Sequence, residues 1–363
     1  MRIGIGAMVG VLGGPATYAR ELVGGLARLG GHEYVVFTDR PDAFGESDVT
    51  TVHVPLQSAY HQVTWDHWAL PALVAAHGVQ LYHGTKNILP WRLAVPGVVT
   101  VHDLAVYACP ETFALPQRWH LRALLPRSVA RSVRVVTDSE HARRDVIARF
   151  GVAAARTVAV PLGVGEAYRN PVPDDAVAHL RRAHGLGERV VACVGTVQPR
   201  KHIERVIEAF VRAALAGQGW TLAIAGRIRP HHSPPWLGAL PPGAHFLGPL
   251  ADDDLRALYA ASTIAMSASE YEGFGLTVLE AMASGCAVIA VGTTSIPEVV
   301  GDAGVLVAAS DAELLAGALA ALVRDPERRA ALASAARRRA AGFTWEETAR
   351  RTRAVYDEVL ACA

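Results

Sequence analysis

Short apolar runs alternate with amphipathic stretches along this chain of 363 residues. The apolar runs are continuously hydrophobic and rich in valine and alanine, as in parallel strands that are buried on both faces. The stretches between them carry apolar residues at helical spacing. In the first half, the pattern predicts strands at Arg2–Ala7, Tyr34–Thr38, Val79–His83, Gly97–His102 and Val133–Asp138, and helices at Ala16–Leu29, Trp65–Ala76, Gln117–Arg131 and Glu140–Phe150.

The alternation resumes after Gly163–Asp175, a glycine- and proline-containing segment that predicts a linker. The second half is predicted to hold strands at Val190–Thr196, Thr221–Gly226, His245–Leu247, Thr263–Ser267, Val288–Ala290 and Gly304–Val307. Its predicted helices are Ile203–Leu215, Asp253–Tyr259, Leu276–Ala283, Asp311–Val323, Pro326–Ala341 and Trp345–Leu360. The chain is therefore predicted to be α/β, with two Rossmann-like doubly wound domains that face a central cleft.

Composition narrows the function classes. The chain is long enough for about two domains, and its net charge of +1 gives no indication of nucleic-acid binding. No apolar run approaches the length of a membrane span, and the N-terminus lacks a signal-peptide pattern, so we expect a cytoplasmic protein. The 15 histidines have no metal-ligand spacing. The four cysteines have no CxxC spacing and are expected to be reduced: Cys109, Cys193, Cys286 and Cys362.

A glycine-rich segment, Gly10–Gly14, precedes the first helix. Glycines allow the backbone to approach a phosphate, and the N-terminus of a helix favours negative charge. An alternative is a dinucleotide-binding fingerprint that begins at Gly4, with Asp39 binding a ribose. That fingerprint requires glycine where Val9 stands, and its first glycines fall inside the first strand. A plain strand-to-helix turn is the third interpretation.

Two further segments with polar chemistry follow strands. His102 and Asp103 end the fourth predicted strand, where they either contact a substrate or serve as a packed residue and a turn cap. Arg200 and Lys201 follow a strand and a Gly-Thr turn that begins at Gly195. Two cations at the end of a strand suit a diphosphate, although an exposed pair on a solvated helix start has the same sequence.

The segment Ser269–Gly285 reads SEYEGFGLTVLEAMASG. Its Gly-Phe-Gly turn predicts a loop that holds Glu272, and the run after it predicts a helix that begins near Leu276. Glu280 then lies about one turn inside this helix, beside apolar positions and facing a crevice. Free N–H groups at the helix start lie between the two carboxylates. A nucleotide sugar, with hydroxyls at both ends and a diphosphate between them, has a matching shape.

In order along the chain, these motifs resemble the retaining nucleotide-sugar glycosyltransferases of glycosyltransferase family four, which have the GT-B fold. The resemblance covers nearly the full length and is closest by eye to the bacterial mannosyltransferase-like subgroup. It is carried by the segments GGPATYARELV, TVHDL, TDSEHARRDV, VPLGV, GTVQPRKHIERVIEAF, LAIAGR, HFLGPLADDDLRALYAAS and EGFGLTVLEAMASG.

The resemblance implies an acceptor-side domain at residues 1–165, a nucleotide-sugar-binding domain at 166–344, and a C-terminal helix, 345–363, that packs back toward the first domain. In the second domain, Glu280 would bind ribose hydroxyls and Glu272 the hydroxyls of the donor sugar. Arg200 and Lys201 would neutralise the departing diphosphate in place of a metal ion, so no cofactor is expected. The other donor-binding residues implied there are Gly195, Phe274, Gly275, Leu276 and Thr277.

In the first domain, the resemblance implies that Gly13 and Gly14 admit the diphosphate and that His102 contacts the donor sugar near the reacting carbon. The implied reaction moves a hexosyl group to a glycan, lipid-linked or small-molecule acceptor, with a leaning to GDP-mannose as donor. The expected acceptor contacts are Lys86, Asn87 and Asp103, although Lys86 and Asn87 equally suit a loop surface.

Other interpretations stay open at this point. A nicotinamide oxidoreductase and a catalytically silent binder of nucleotide sugars are the alternatives to a transferase. The basic, amphipathic segment Arg118–Arg134 suits peripheral contact with the inner face of a membrane. A solvated arginine face on an ordinary covering helix explains this segment better.

Overall fold

The computed structural model describes residues 1–8, 13–55, 65–230 and 232–362. The chain divides into two compact units. Unit 1 comprises residues 1–107, 115–163 and 344–363, and unit 2 comprises residues 108–114 and 164–343. The sequence pattern placed residues 108–114 in the first domain, whereas the contacts group them with unit 2.

Unit 1 is built on a parallel sheet of seven strands in the order β3-β2-β1-β4-β5-β6-β7. The central strands are buried, which explains their continuous apolar character. The strands are β1 (Arg2–Ala7), β2 (Glu33–Thr38), β3 (Thr50–His53), β4 (Leu81–Gly84), β5 (Gly97–Val101), β6 (Arg134–Thr137) and β7 (Thr157–Ala159).

The helices around this sheet include one, at the C-terminus, that joins the unit from the far end of the chain. A π-helical turn at Trp65–Ala69 leads into the second helix. The helices are α1 (Gly14–Leu29), α2 (Leu70–Ala76), α3 (Ala105–Ala108), α4 (Leu115–Arg131), α5 (Glu140–Phe150) and α13 (Trp345–Ala361).

Unit 2 has a parallel sheet of six strands in the order β10-β9-β8-β11-β12-β13. Its strands are β8 (Arg189–Val194), β9 (Trp220–Ala225), β10 (Ala244–Gly248), β11 (Ser262–Ser267), β12 (Ala287–Val291) and β13 (Val305–Val307). Its helices are α6 (Asp174–His184), α7 (Ile203–Arg212), α8 (Asp252–Ala261), α9 (Leu276–Ser284), α10 (Ile296–Val300), α11 (Ala312–Arg324) and α12 (Pro326–Ala340). The two parallel-sheet, Rossmann-like units confirm the predicted α/β class.

The sequence pattern missed the two edge strands of unit 1, β3 and β7. Both are short, and β3 is largely exposed, so neither shows the continuous apolar signal of the central strands. The predicted linker was also too long at its end. It stops before Asp174, where α6 begins, and α6 escaped prediction because Leu180 is its single buried residue.

The strand order of each sheet reverses at its centre, between β1 and β4 in unit 1 and between β8 and β11 in unit 2. Ligands of doubly wound sheets bind beyond the C-terminal strand ends at such points. The segments that follow these four strands carry most of the candidate residues.

The glycines of β1 have a packing role that accounts for the apparent dinucleotide fingerprint. A Cβ atom on Gly6 would lie 2.0 Å from the hydroxyl oxygen of Tyr82, and one on Gly4 would lie 3.2 Å from the same ring. Tyr82, on the neighbouring β4, therefore requires glycine at these positions. Val9 and the first part of Gly10–Gly14 lie outside the described residues.

The C-terminal helix α13 packs against α1 inside unit 1. Gly25 of α1 permits the approach, because a Cβ atom there would lie 2.8 Å from the Cβ of Ala349. A hydrogen bond of 2.6 Å joins the Tyr356 hydroxyl of α13 to Nδ1 of His83 on β4. The helix is thus an integral part of the core of unit 1.

Candidate active site

The donor-side candidates of unit 2 begin at the turn after β8. Gly195 has a φ of 149°, and a Cβ atom there would sit 3.6 Å from Cε of Lys201. A larger residue would be strained and would crowd the lysine side chain. The chain then forms a short helical turn, Pro199–Lys201, whose last two residues are the predicted cations.

Glu272 is the partner of both cations. Nη1 of Arg200 lies 3.1 Å from one carboxylate oxygen, and Nζ of Lys201 contacts the other. All three side chains are about nine-tenths buried. Burial would raise the pKa of Glu272, but the charges of Lys201 and Arg200 lower it to about 2. The three groups form a buried ionic cluster, hereafter the ionic triad, with a net charge of one positive unit.

The loop that carries Glu272 is fixed through its backbone. Its N–H donates to Oγ1 of Thr294 at 3.0 Å, and its carbonyl accepts from the Ser295 hydroxyl at 2.9 Å. Thr294 has a φ of 53°, which is unusual for a β-branched residue and marks strain. The N–H of Glu270 donates to the carbonyl of Arg200 at 3.0 Å, so this loop and the Arg-Lys turn are joined directly.

Helix α9 begins at Leu276, as predicted, after Gly275 with a φ of 105°. The first N–H groups of a helix have no intrahelical acceptor, and no side chain caps this helix. The N–H groups of Leu276 and Thr277 thus stand at a helix N-terminus, a position that favours negative charge. Phe274 is buried, and its ring packs edge-on against Phe343 at 5.9 Å, which fixes the start of the helix.

Glu280 lies one turn inside α9 and is partly buried. The hydroxyl of Tyr259 donates to it at the long distance of 3.5 Å. Burial raises the pKa of Glu280 to about 8, and the nearby charge of Asp252 acts in the same direction. Unlike Glu272, this carboxyl has no cation in hydrogen-bonding contact among the residues that the structure describes.

In unit 1, His102 follows β5 and uses both ring nitrogens inside the protein. Nδ1 lies 2.7 Å from Oδ2 of Asp138, and Nε2 lies 2.8 Å from the carbonyl oxygen of Thr85. Both partners accept, so both nitrogens carry hydrogen and the ring is an imidazolium. Burial would lower the pKa of His102, but the Asp138 carboxylate raises it above its usual value. A sugar hydroxyl could reach this ring only by replacing the Thr85 contact.

Two of the three acceptor candidates have structural partners. The side-chain oxygen of Asn87 accepts from the N–H of His102 at 3.2 Å, and Asn87 takes a φ of 63°. Asp103 accepts from the N–H of Ala105 at 3.0 Å and so caps α3, which was the alternative interpretation. Lys86 is exposed on the loop after β4.

Gly13 and Gly14 form the start of α1. Gly13 has a φ of 106°, and a Cβ atom there would have no neighbour within 4 Å. Pro15 lies in the first turn, which it stiffens.

Sequence reasoning did not assign roles to several residues that hold the candidates in place. Asp138 orients His102, Tyr259 contacts Glu280, and Thr294 holds the backbone of Glu272. Asp138 directly follows the buried strand β6, which is the placement that singled out His102. Nothing comparable marks Tyr259, which lies inside a helix.

Within the described ranges, no group of three or more His, Cys, Asp or Glu residues is arranged to hold a metal ion. Over the same residues, no helix combines the length and the apolar character that crossing a bilayer requires. The metal-free reaction remains a prediction.

Comparison with known proteins gives the family. The family model described as "Glycosyl transferases group 1" matches residues 178–339, and the model "Glycosyltransferase Family 4" matches residues 12–167. The two models together cover most of the chain. The chain therefore belongs to the glycosyltransferases that these two models describe.

Two relatives of the glycosyltransferase illustrate the activities that similar proteins have. It is 28% identical to O-antigen chain mannosyltransferase B of Escherichia coli over 75% of this chain and 72% of that protein. It is 34% identical to D-inositol 3-phosphate glycosyltransferase of Salinispora arenicola over 74% of this chain and 65% of that protein. The alignments thus span about two thirds of each relative.

The fold of the glycosyltransferase is also found in solved structures. The crystal structure of Anabaena HepE in complex with UDP-glucose has a TM-score of 0.78 at 19% identity, over 99% of this chain and 100% of that one. These relatives confirm the GT-B fold and a mannosyltransferase-like glycosyltransferase, and the oxidoreductase alternative is not favoured.

Proposed function

We propose that this glycosyltransferase transfers a hexosyl group from a nucleoside diphosphate sugar to a hydroxyl of a glycan, lipid-linked or small-molecule acceptor. The observation that supports this most is the arrangement in unit 2. Glu272, which belongs to an ionic triad of net positive charge, lies in one segment with the open N-terminus of α9 and with Glu280, a partly buried carboxyl. The cations and the helix N-terminus suit the phosphates of such a donor, and the carboxylates suit its hydroxyl groups.

The diphosphate is the proposed ligand of the two cations. Arg200 and Lys201 are already desolvated, so a bound diphosphate interacts with them more strongly than it would with exposed cations. To engage it fully, they must loosen their contacts with Glu272. The released carboxylate then accepts hydrogen bonds from hydroxyls of the donor sugar. A single exchange of partners would thus let the cations bind the diphosphate and let Glu272 bind the sugar.

Glu280 is the proposed ribose ligand. A carboxylate can accept a hydrogen bond on each oxygen, which suits two neighbouring hydroxyls. The long contact with Tyr259 leaves most of this capacity unused. Ribose hydroxyls would provide partners for a carboxyl that burial otherwise disfavours in its charged form.

The proposed reaction needs no metal and retains the anomeric configuration. Two fixed cations can stabilise the charge that develops on the leaving diphosphate, as a metal ion does elsewhere. We assign no carboxylate nucleophile. Transfer rates in excess EDTA should equal those without it, and NMR of the first-formed product should show the configuration of the donor. Loss of activity in EDTA, restored by a divalent cation, would contradict the metal-free mechanism.

The donor is proposed to be GDP-mannose, by analogy with the mannosyltransferase relatives. A thermal-shift screen of UDP, GDP, ADP and dTDP sugars tests this, since a ligand that binds the folded state raises its melting temperature. The best binder is then used in transfer assays. A shift without transfer or donor hydrolysis, with any acceptor class, would indicate a silent binding protein.

The proposed acceptor contacts are Lys86, Asn87 and Asp103 in unit 1. Of these residues, Lys86 is exposed, whereas Asn87 and Asp103 accept hydrogen bonds from the backbone. Lys86→Ala should therefore raise the KM for acceptor without changing the KM for donor. An unchanged acceptor KM would remove it from the site.

We propose that α4 is a covering helix rather than a membrane anchor. Its leucines Leu124 and Leu125 are buried in unit 1, and Arg122 lies over the ring of Tyr107 at 5.4 Å. Trp119, at 73% exposure, is what a membrane could contact. Co-sedimentation with vesicles rich in phosphatidylglycerol should be absent, and binding abolished by Trp119→Ala would show membrane contact instead.

A further inference from the structure

A histidine directly after the two cations has an unusual backbone. His202 links the Pro199–Lys201 turn to α7, and its φ of 44° and ψ of 47° place it in the left-handed region. A residue with a Cβ atom is disfavoured there, and such strain persists only where surrounding contacts enforce it. The N–H of His202 donates to the carbonyl of Pro199 at 3.1 Å, its carbonyl accepts from the N–H of Arg205 at 2.9 Å, and the histidine side chain adds further contacts.

The imidazole of His202 is held between two carboxylates. Nδ1 lies 2.9 Å from Oε1 of Glu204, and Nε2 lies 3.0 Å from Oε2 of Glu270. Both ring nitrogens therefore face carboxylate oxygens, which are hydrogen-bond acceptors. A hydrogen bond to Glu204 and the close approach of the Glu270 carboxylate thus hold a ring that is 26% exposed.

The two carboxylates belong to different parts of the site. Glu204 lies in the first turn of α7, whereas Glu270 lies on the loop that carries Glu272. The N–H of Glu270 also donates to the carbonyl of Arg200 at 3.0 Å, and the Ser269 hydroxyl approaches the same carbonyl at 3.4 Å. His202 therefore completes a connection between the Arg-Lys turn and the Glu272 loop that does not use the ionic triad.

We propose that His202 is a positioning residue, which holds the side chains of Arg200 and Lys201 in the orientation that binds the departing diphosphate. This inference rests on the proposed function. When the diphosphate replaces Glu272 as the partner of the cations, the triad no longer fixes the turn. The bridge from His202 to Glu270 and the backbone bond of Arg200 remain, so they keep the cations in place at that step.

The test uses His202→Gly, because glycine adopts a φ of 44° without strain. The turn is retained and the melting temperature should stay within a few degrees of wild type, while the side-chain bridge is lost. We expect kcat to fall about tenfold and the donor KM to change less than threefold, since misplaced cations act mainly on the developing charge. Glu270→Gln keeps an acceptor oxygen and should retain most of the rate, whereas Glu270→Ala should match His202→Gly.

Arg205→Ala is the matched control. Arg205 pairs with Glu208 at 3.0 Å on the exposed face of the same helix, away from the bridge between His202 and Glu270. Its removal should leave kcat unchanged. The double variant His202→Gly, Glu270→Ala should be no slower than either single variant, because both remove the same bridge.

Inorganic pyrophosphate binding, measured by calorimetry, separates this inference from the proposed function. If wild type binds pyrophosphate but transfers no sugar, the proposed function fails, and weaker pyrophosphate binding by His202→Gly still supports the positioning role. A kcat and a pyrophosphate affinity of His202→Gly both within twofold of wild type would overturn that role. Absence of pyrophosphate binding by wild type would overturn it as well, because the positioned cations would then bind no diphosphate.

Discussion

Two glutamates only eight positions apart in the chain, Glu272 and Glu280, occupy opposite electrostatic environments. Glu272 contacts two cations, and its pKa is lowered to about 2. Glu280 accepts a long hydrogen bond from Tyr259, and burial raises its pKa to about 8. The difference arises from the positions of the two residues. The loop that carries Glu272 faces the Arg-Lys turn, whereas Glu280 lies one turn into α9, where no cation of the described residues forms a hydrogen bond with it.

The comparison shows two ways in which a protein can prepare a carboxylate for a ligand. Glu272 is satisfied in advance, so a ligand gains from it only by exchanging partners with the cations. Glu280 is left nearly unsatisfied, so a ligand with hydroxyl donors gains directly. A buried carboxylate without partners costs stability, and such groups concentrate at functional sites.

The largest expected effect is on stability as a function of pH, where the two glutamates act with opposite signs. The folded pKa of Glu280 lies above its ordinary value of 4.5, so the folded state binds more protons between pH 4.5 and about 8, and stability falls with rising pH. The folded pKa of Glu272 lies below 4.5, so its stabilisation is present above pH 4.5 and is lost as the pH falls toward 2.

Glu280→Gln should therefore become more stable relative to wild type as the pH rises, by up to about 5 kcal/mol between pH 4.5 and 8. The free energy of unfolding is measured by urea denaturation across this range. The difference between the two proteins isolates Glu280 from other titrating groups. A difference that does not change with pH would show that Glu280 is ionised at its ordinary pKa.

The position of Glu280 could be predicted from sequence, because helix propensity after a Gly-Phe-Gly turn depends on neighbouring residues. The same holds for the central strands, whose apolar runs report burial on both faces. The pairing of Glu272 with Arg200 and of His102 with Asp138 could not be predicted, because the partners are distant in the chain and meet only through strand order. The edge strands β3 and β7 were not predicted, because short and partly exposed strands lack a continuous apolar signal.

The second prediction concerns the cations of the ionic triad. Lys201→Met should lower kcat about 10²- to 10³-fold, because it removes a fixed charge that stabilises the developing negative charge. Arg200→Ala should act in the same direction. Turnover is measured by steady-state kinetics with saturating donor. The control is Arg212→Met, at the C-terminal end of α7. Near-wild-type turnover for either variant would exclude the proposed role in leaving-group stabilisation.

The third prediction separates the two glutamates by their ligands. Glu280→Ala should weaken binding of the free nucleoside diphosphate about 10- to 30-fold, because it removes two hydrogen bonds from the ribose. Glu272→Ala should leave that affinity nearly unchanged and lower transfer, since free nucleoside diphosphate lacks the sugar. Calorimetry on both variants tests this. Equal affinity of wild type and Glu280→Ala would refute the ribose assignment.

The smallest expected effect is in unit 1, where His102 resembles Glu272 in having its partners in place. Asp138→Asn removes the charge that keeps the His102 ring doubly protonated, so Nδ1 or Nε2 loses its hydrogen as the pH rises. We expect turnover to fall about fivefold and its pH profile to shift to lower pH, because burial lowers the pKa of His102 once the Asp138 charge is removed. The matched control is Asp145→Asn, because Asp145 pairs with His141 at 3.3 Å on the partly exposed face of α5. A pH profile of Asp138→Asn parallel to that of wild type would show that the charge of the pair has no part in transfer, and that His102 serves the fold alone.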